Sequence, residues 1–104
     1  MRRGEVWWAE QAEPIGKRPV LLLSRDEAYQ VRNAVTIAQI TTTIRNIPVE
    51  VALDEKDGLP QKCVVNLDTI TTIRKAILTK RICSLSSGKI EQIDRAIKFA
   101  LALE

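Results

Sequence analysis

The feature that most constrains the fold is a change in the period of the apolar residues near residue 86. Up to residue 85 the chain carries short apolar segments at close spacing, which are typical of β-strands. Beyond it Ile90, Ile93, Ile97 and Leu101 recur at the spacing of an amphipathic helix. This order predicts an α+β, mainly β fold, in which a helix covers a small, strongly bent antiparallel sheet or barrel.

The strand segments predict which side chains face the core. Val35 and Ile37 lie on one face of their segment, with Ala38 and Ile40 on the other. Ser86 or Ser87 can cap the long helix, and a shorter helical turn is expected to start at Ser24, with that serine as its cap. The six predicted strands are residues 4–10, 19–24, 34–41, 47–53, 63–70 and 78–85.

The tryptophans Trp7 and Trp8 are consecutive, so on a strand they point to opposite faces of the sheet. One of them is expected in the core. The other can stack on a nucleic-acid base or pack at a dimer interface, where tryptophan is enriched.

Charge alone does not identify a binding partner. The net charge is +3, from 16 Lys and Arg against 13 Asp and Glu, which is too modest to indicate a nucleic-acid-binding protein. Histidine is absent, so the usual general base and the usual metal ligand are both missing. Any chemistry therefore has to rest on Arg, Glu, Asp, Thr or Ser.

Length and cysteine content predict the domain organisation and the compartment. A chain of 104 residues fits one domain, residues 1–104. No signal peptide and no membrane-spanning apolar run is present, so we expect a cytoplasmic protein. Cys63 and Cys83 are then expected to be reduced core residues.

Five separated motifs occur in an order that resembles the MazF/PemK family of toxins from toxin–antitoxin pairs. They are "RRGEVWW", "GKRPVLLLSRD", "QITTTIRNIPVEVAL", "DGLPQKCVVNLDTI" and "LSSGKIEQIDRAIKFALAL". The resemblance covers almost the whole chain. It implies an SH3-like barrel, a homodimer, and an endoribonuclease that cuts single-stranded RNA, as mRNA, tRNA or rRNA. It also implies a cognate antitoxin with an acidic, partly disordered segment, and neither a metal nor another cofactor.

The resemblance implies three catalytic residues. Arg18 looks like the family's catalytic arginine, whose fork of donors can hold two phosphate oxygens at once. Thr41 resembles the catalytic threonine, with Thr42 as the alternative within "TTT". Glu13, five residues before Arg18, is the expected general base, although a solvated loop glutamate explains it equally well. Residues expected to contact RNA are Lys17, Ser24, Arg25, Thr42 and Arg45.

Two departures from the family keep other functions open. The loop of residues 11–17 is shorter than in many members, and Thr69 and Thr71 stand where many relatives place glutamine and arginine. An inactive RNA-binding relative could carry such changes. A noncatalytic gyrase poison of the CcdB type would share the fold, but it acts through a tryptophan, a glycine and an isoleucine at the end of its last helix. Here that position reads "LALE".

Overall fold

The computed structural model describes residues 1–104 and forms one curled sheet of six antiparallel strands. Its strand order is β4-β5-β3-β2-β1-β6. The strands are β1 (Glu5–Glu10), β2 (Lys17–Leu22), β3 (Ala34–Thr41), β4 (Glu50–Leu53), β5 (Cys63–Arg74) and β6 (Leu78–Ser84). The helices are α1 (Ala28–Val31) and α2 (Ser87–Ala100), with short 3-10 turns at Glu55–Asp57 and Lys75–Ile77.

Register shifts explain why so small a sheet can curl. The β3–β5 pairing shifts between Ala38 and Gln39, and the β1–β6 pairing shifts twice, after Val6 and after Trp8. Each such irregularity bends a strand and increases its twist. The expected strongly bent mainly β fold is confirmed, and its bends come from interactions between strands that are distant in sequence.

Two apolar clusters lie on opposite faces of the sheet. The larger has twelve buried residues and includes Ile40 of β3 and Ile93 of α2, so the helix packs on this face. The smaller has seven and includes Ile37 and Tyr29, so α1 covers part of the other face. The predicted division of β3, with Val35 and Ile37 opposed to Ala38 and Ile40, is therefore confirmed.

Several element boundaries differ from the predicted ones. The strand expected at 47–53 begins only at Glu50, because Ile47 and Pro48 lie in an exposed turn. The strand expected at 63–70 continues to Arg74, since its second half pairs with β3 although most of it is exposed. In the exposed second half of this strand, apolar and polar residues do not alternate. That alternation is the signal by which a strand is identified in a sequence.

The predicted start of the short helix was wrong. Helix α1 begins at Ala28, and its N-cap residue Glu27 makes no side-chain cap. Ser24 instead accepts a hydrogen bond through its Oγ from the backbone N–H of Thr36, 2.8 Å away, so it ties the chain to β3. A local sequence reading could not find this, because the competing partner is twelve residues away.

Helix α2 has the cap that was predicted. Ser86 accepts a hydrogen bond through its Oγ from the N–H of Lys89 at 3.2 Å, and Ile93 and Ala96 are buried. Neither helix of this chain combines the length and apolar character that crossing a membrane requires.

Substitution of the cap should destabilise the fold measurably. Ser86→Ala removes the acceptor of the Lys89 N–H and is expected to lower the free energy of unfolding by about 1 kcal/mol. Urea unfolding followed by circular dichroism measures the change. Ser87→Ala is the matched control, since Ser87 is the first helical residue and makes no cap, and its effect should be within about 0.5 kcal/mol. Equal losses in both variants would contradict this role.

Candidate active site

The site lies where the first residues of β2 meet the last residues of β3. These strands pair antiparallel, with Val20 opposite Gln39 and Leu22 opposite Ile37. Continuing the same register by two residues places Arg18 opposite Thr41. The regular pairs stop at Val20, directly after Pro19, which has no N–H to donate to a ladder.

A cleft of about 430 Å³ opens at this end of the sheet. One wall carries residues from β1 and β2, and the floor is the end of β3 with the following bend. The opposite wall comes from the segment before β5. The lining residues are Trp8, Lys17, Arg18, Pro19, Ile40, Thr41, Thr42, Thr43, Leu59, Pro60, Gln61 and Cys63.

Arg18 is held at one end and free at the other. Its Nε donates a hydrogen bond to the carbonyl oxygen of Ile15, 3.1 Å away, which fixes the side chain against the preceding loop. Its two terminal nitrogens make no hydrogen bond or ion pair within the chain. Four N–H groups are therefore available to oxygens of a bound anion.

Thr41 is oriented by its own backbone. Its Oγ1 accepts a hydrogen bond from the N–H of Thr43 at 3.1 Å, which leaves the hydroxyl proton free for another acceptor. Thr42 and Thr43 line the same cleft but are exposed, whereas Thr41 is half-buried as the last residue of β3. Of the three threonines, Thr41 therefore has the best-defined hydroxyl position.

The charged side chains that line the cleft are both cations. They are Lys17 and Arg18, and no carboxylate is among the lining residues. The ammonium nitrogen of Lys17 lies 5.4 Å from the centroid of the Trp8 ring, which is within cation–π range. Neither cation forms an ion pair, although Glu10 lies opposite Lys17 in the β1–β2 register, so both charges are available to a phosphate.

One wall of the cleft was missed by sequence reasoning. Leu59, Pro60 and Gln61 fall between the strands predicted at 47–53 and 63–70, and Cys63 was expected only in the core. Leu59 and Cys63 are buried in the larger cluster, so they connect the cleft to the fold. Nothing local in "GLPQKC" indicates that it faces "KRP", because the contact joins residues more than forty positions apart.

Cys63 does not supply a nucleophile. Burial raises the pKa of its thiol to about 11, and the carboxylate of Asp57 adds to the effect. The thiol therefore stays protonated at neutral pH, and only the thiolate is strongly nucleophilic. Both cysteines are free thiols; Cys63 is buried in the core, and Cys83 is half-buried against it.

The other predicted site residues lie outside the cleft. Glu13 is exposed and lines a neighbouring groove with Ile73 and Arg74. Ser24 and Arg25 follow the far end of β2 from Arg18, about 20 Å away at 3.3 Å per residue. Arg45 lies in the exposed loop after Thr43, where its backbone N–H donates to the carboxylate of Glu50 at 3.0 Å.

Comparison with known proteins gives consistent results. A family model described as a PemK-like, MazF-like toxin of type II toxin–antitoxin systems matches residues 2–101. "Probable endoribonuclease MazF5" of Mycobacterium tuberculosis is 41% identical over 100 residues, covering 95% of this chain and 91% of that protein.

Two solved structures have the same fold. "Mycobacterium tuberculosis toxin MazF-mt6" is 33% identical with a TM-score of 0.89, covering 96% of this chain and 98% of that one. "Endoribonuclease in complex with its cognate antitoxin from Mycobacterial species" is 29% identical with a TM-score of 0.88, covering 100% and 97%.

The raised thiol pKa predicts slow alkylation. At about pH 8, roughly one thiol in a thousand is ionised when the pKa is about 11. Iodoacetamide should therefore modify Cys63 far more slowly in the folded protein than in urea, with a rate that rises as the pH increases toward 11. Mass spectrometry of the tryptic peptide measures both rates. Prompt modification of the folded protein at neutral pH would show that the thiol is neither shielded nor held neutral.

Proposed function

Because the chain belongs to the PemK-like, MazF-like toxin family of type II toxin–antitoxin systems, we propose that it is an endoribonuclease toxin that cuts single-stranded RNA without a metal ion. The observation that carries the proposal is the juxtaposition of Arg18 and Thr41 in a cationic cleft. The relatives named endoribonucleases support the activity, because they match along most of the chain.

The proposed reaction is a transfer within the RNA backbone. The 2′-oxygen of one ribose attacks the adjacent phosphorus, and the bond from phosphorus to the 5′-oxygen of the next nucleotide breaks. The 2′-hydroxyl loses a proton and the departing 5′-oxygen gains one. The products are a 2′,3′-cyclic phosphate and a 5′-hydroxyl, and no step requires oxidation, reduction or a covalent enzyme intermediate.

Arg18 and Thr41 would stabilise the charge that develops on the phosphorus oxygens. The free terminal nitrogens of Arg18 can donate to two of these oxygens, while the Thr41 hydroxyl donates to one. Both side chains are already oriented, Arg18 by Ile15 and Thr41 by Thr43. Donors that are in place before the reaction cost little reorganisation when charge appears.

The identity of the base stays a prediction. Glu13 is the one carboxylate in the loop that precedes Arg18. Its side chain lies close to Gly16, since a Cβ added at Gly16 would be only 3.3 Å from the Glu13 Oε1. To take the 2′-proton, the Glu13 carboxylate would have to reach the cleft from the adjacent groove.

Among the expected RNA contacts, the cleft geometry supports Lys17 and Thr42 most directly, since both line it. Arg45 follows the cleft threonines and can contact RNA that continues past them. Contacts from Ser24 and Arg25 stay predictions, because an RNA strand would have to run along the length of β2 to reach them.

The substitutions at Thr69 and Thr71 do not argue for an inactive relative. Neither residue lines the cleft. Thr69 donates its hydroxyl proton to the carbonyl oxygen of Asn66, 2.7 Å away. This hydrogen bond lies next to the irregularity in β5, so it stabilises the backbone there. A gyrase poison of the CcdB type would leave the oriented Arg18 and Thr41 without a function.

We also propose that an antitoxin segment with acidic residues covers the cleft, because the two unpaired cations there attract carboxylates. The structural relative that was solved with its cognate antitoxin supports this partner. A homodimer and a cytoplasmic location stay predictions.

Replacement of Arg18 should separate catalysis from folding. Arg18→Ala is expected to lower kcat for RNA cleavage by about 100- to 1,000-fold, because it removes donors to the developing charge. Arg18→Lys keeps the charge but not the fork of donors, so it should restore only part of the rate. Cleavage of total RNA in the presence of chelator, with sequencing of the new 5′ ends, measures both variants.

Arg32→Ala is the matched control, since Arg32 precedes the opposite end of β3 from Thr41. It should cleave like the unmodified protein. An Arg18→Ala protein that folds and cleaves normally would rule out the proposed role of this arginine.

Replacement of Glu13 tests the base. A general base accepts a proton, and the amide of glutamine does not. Glu13→Gln is therefore expected to lower kcat about 100-fold, with little change in KM. Glu91→Gln, on the exposed face of α2, is the control. A folded Glu13→Gln enzyme that keeps the full rate would exclude Glu13 as the base.

A further inference from the structure

Trp8 has no structural partner that accounts for its position in the cleft. The neighbouring Trp7 packs against the smaller apolar cluster and donates its indole N–H to Glu5 Oε1 at 2.9 Å. Trp8 is half-buried, is not a member of either cluster, and its indole N–H makes no hydrogen bond within the chain. Because no buried side-chain nitrogen lacks a partner, this N–H is not buried, and Trp8 lines the cleft.

Trp8 lies on a paired strand among charged side chains, with two lysines near it and Glu10 opposite Lys17 in register. In the sheet it lies between Pro19 of β2 and Lys80 of β6, which are its direct partners in register and share its face. The ammonium nitrogen of Lys17 lies 5.4 Å from the ring centroid. The ring is thus held by a paired strand, with Lys17 and Lys80 near it.

We propose that the Trp8 ring stacks on a nucleobase of the RNA next to the phosphate that Arg18 holds, and that Lys17 binds an adjacent phosphate. This inference rests on the proposed function and names the part of the substrate that this wall of the cleft recognises. Aromatic side chains beside cations are the usual platform for single-stranded nucleic acid, because every base has a face that can stack.

Lys17 changes its contacts when RNA binds. In the free protein its ammonium group is placed at the ring and stabilised by cation–π attraction. A stacking base displaces this group, and the flexible lysine stem then lets the charge reach the backbone of the same nucleotide. RNA binding thus replaces the contact between Lys17 and the Trp8 ring by two contacts to RNA. One is made by the Trp8 ring and the other by the Lys17 ammonium group.

The test uses the full chain and an RNA that cannot be cut. Octamers of random sequence with 2′-O-methyl riboses have no free 2′-hydroxyl, so binding is measured without cleavage. In a Trp7→Phe protein, Trp8 is the only tryptophan, and we expect its fluorescence to be quenched as the octamers bind. This measurement leaves Trp8 unchanged, so it remains informative even if a Trp8 variant fails to fold.

Variants then separate stacking from charge. Relative to the same Trp7→Phe protein, Trp8→Leu should weaken octamer binding by about 5- to 100-fold, while Trp8→Phe should stay within about threefold because it keeps an aromatic face. Lys17→Met keeps the stem without the charge. It should reduce the slope of log K against log salt by about 0.7 while the quenching remains.

The outcomes distinguish this inference from the proposed function. Octamer binding that leaves the Trp8 fluorescence unchanged, or a folded Trp8→Leu protein that binds as tightly as its parent, overturns the stacking role even if the protein cuts RNA. Weaker self-association of Trp8→Leu with unchanged octamer affinity also overturns it and assigns Trp8 to a dimer interface. Quenching by octamers in a protein that cuts no RNA supports the stacking site and overturns the nuclease instead.

Discussion

The site depends on the register between β2 and β3. Val20 lies opposite Gln39, and the same register continued by two residues places Arg18 across from Thr41 at the cleft. A slip of one residue would turn every side chain of a strand to the other face. The register is held by buried residues on both faces, since Leu22 and Ile37 belong to one apolar cluster and Leu21 and Ala38 to the other.

The cleft and its charged groups lie where the pairing of β2 with β3 stops. Beyond Val20 the strands no longer pair with each other, and the cleft takes up the space at the sheet end. Its cations have no carboxylate among the lining residues, so their charge is available to a ligand. Its thiol is held neutral by burial. The polarity of the site therefore favours binding an anion over nucleophilic attack by a side chain.

Local patterns predicted most of the fold, while the family resemblance supplied the candidate site residues, whose roles stay predictions. The β3 bounds, its two faces and the Ser86 cap were predicted from alternation and capping chemistry, which act between near neighbours. Arg18 and Thr41 were identified by motif, and the structure places both in one cleft. Ser24 was misread as a cap because its partner Thr36 is on another strand. Glu13 was chosen by its spacing from Arg18; it lines the adjacent groove, and its role as the base stays a prediction.

The sequence by itself determined the types of element, their order and the chemical groups available. Strand and helix periods are local properties, and the absence of histidine leaves Arg, Glu, Asp, Thr or Ser as the groups for phosphate chemistry. Only the tertiary structure decided which strand ends meet, that Trp8 rather than Trp7 faces the cleft, and that the segment before β5 closes it. These outcomes depend on pairing between strands that are far apart in the chain. The alternation of apolar residues in a strand does not specify its partner, because the pattern is the same whichever strand it pairs with.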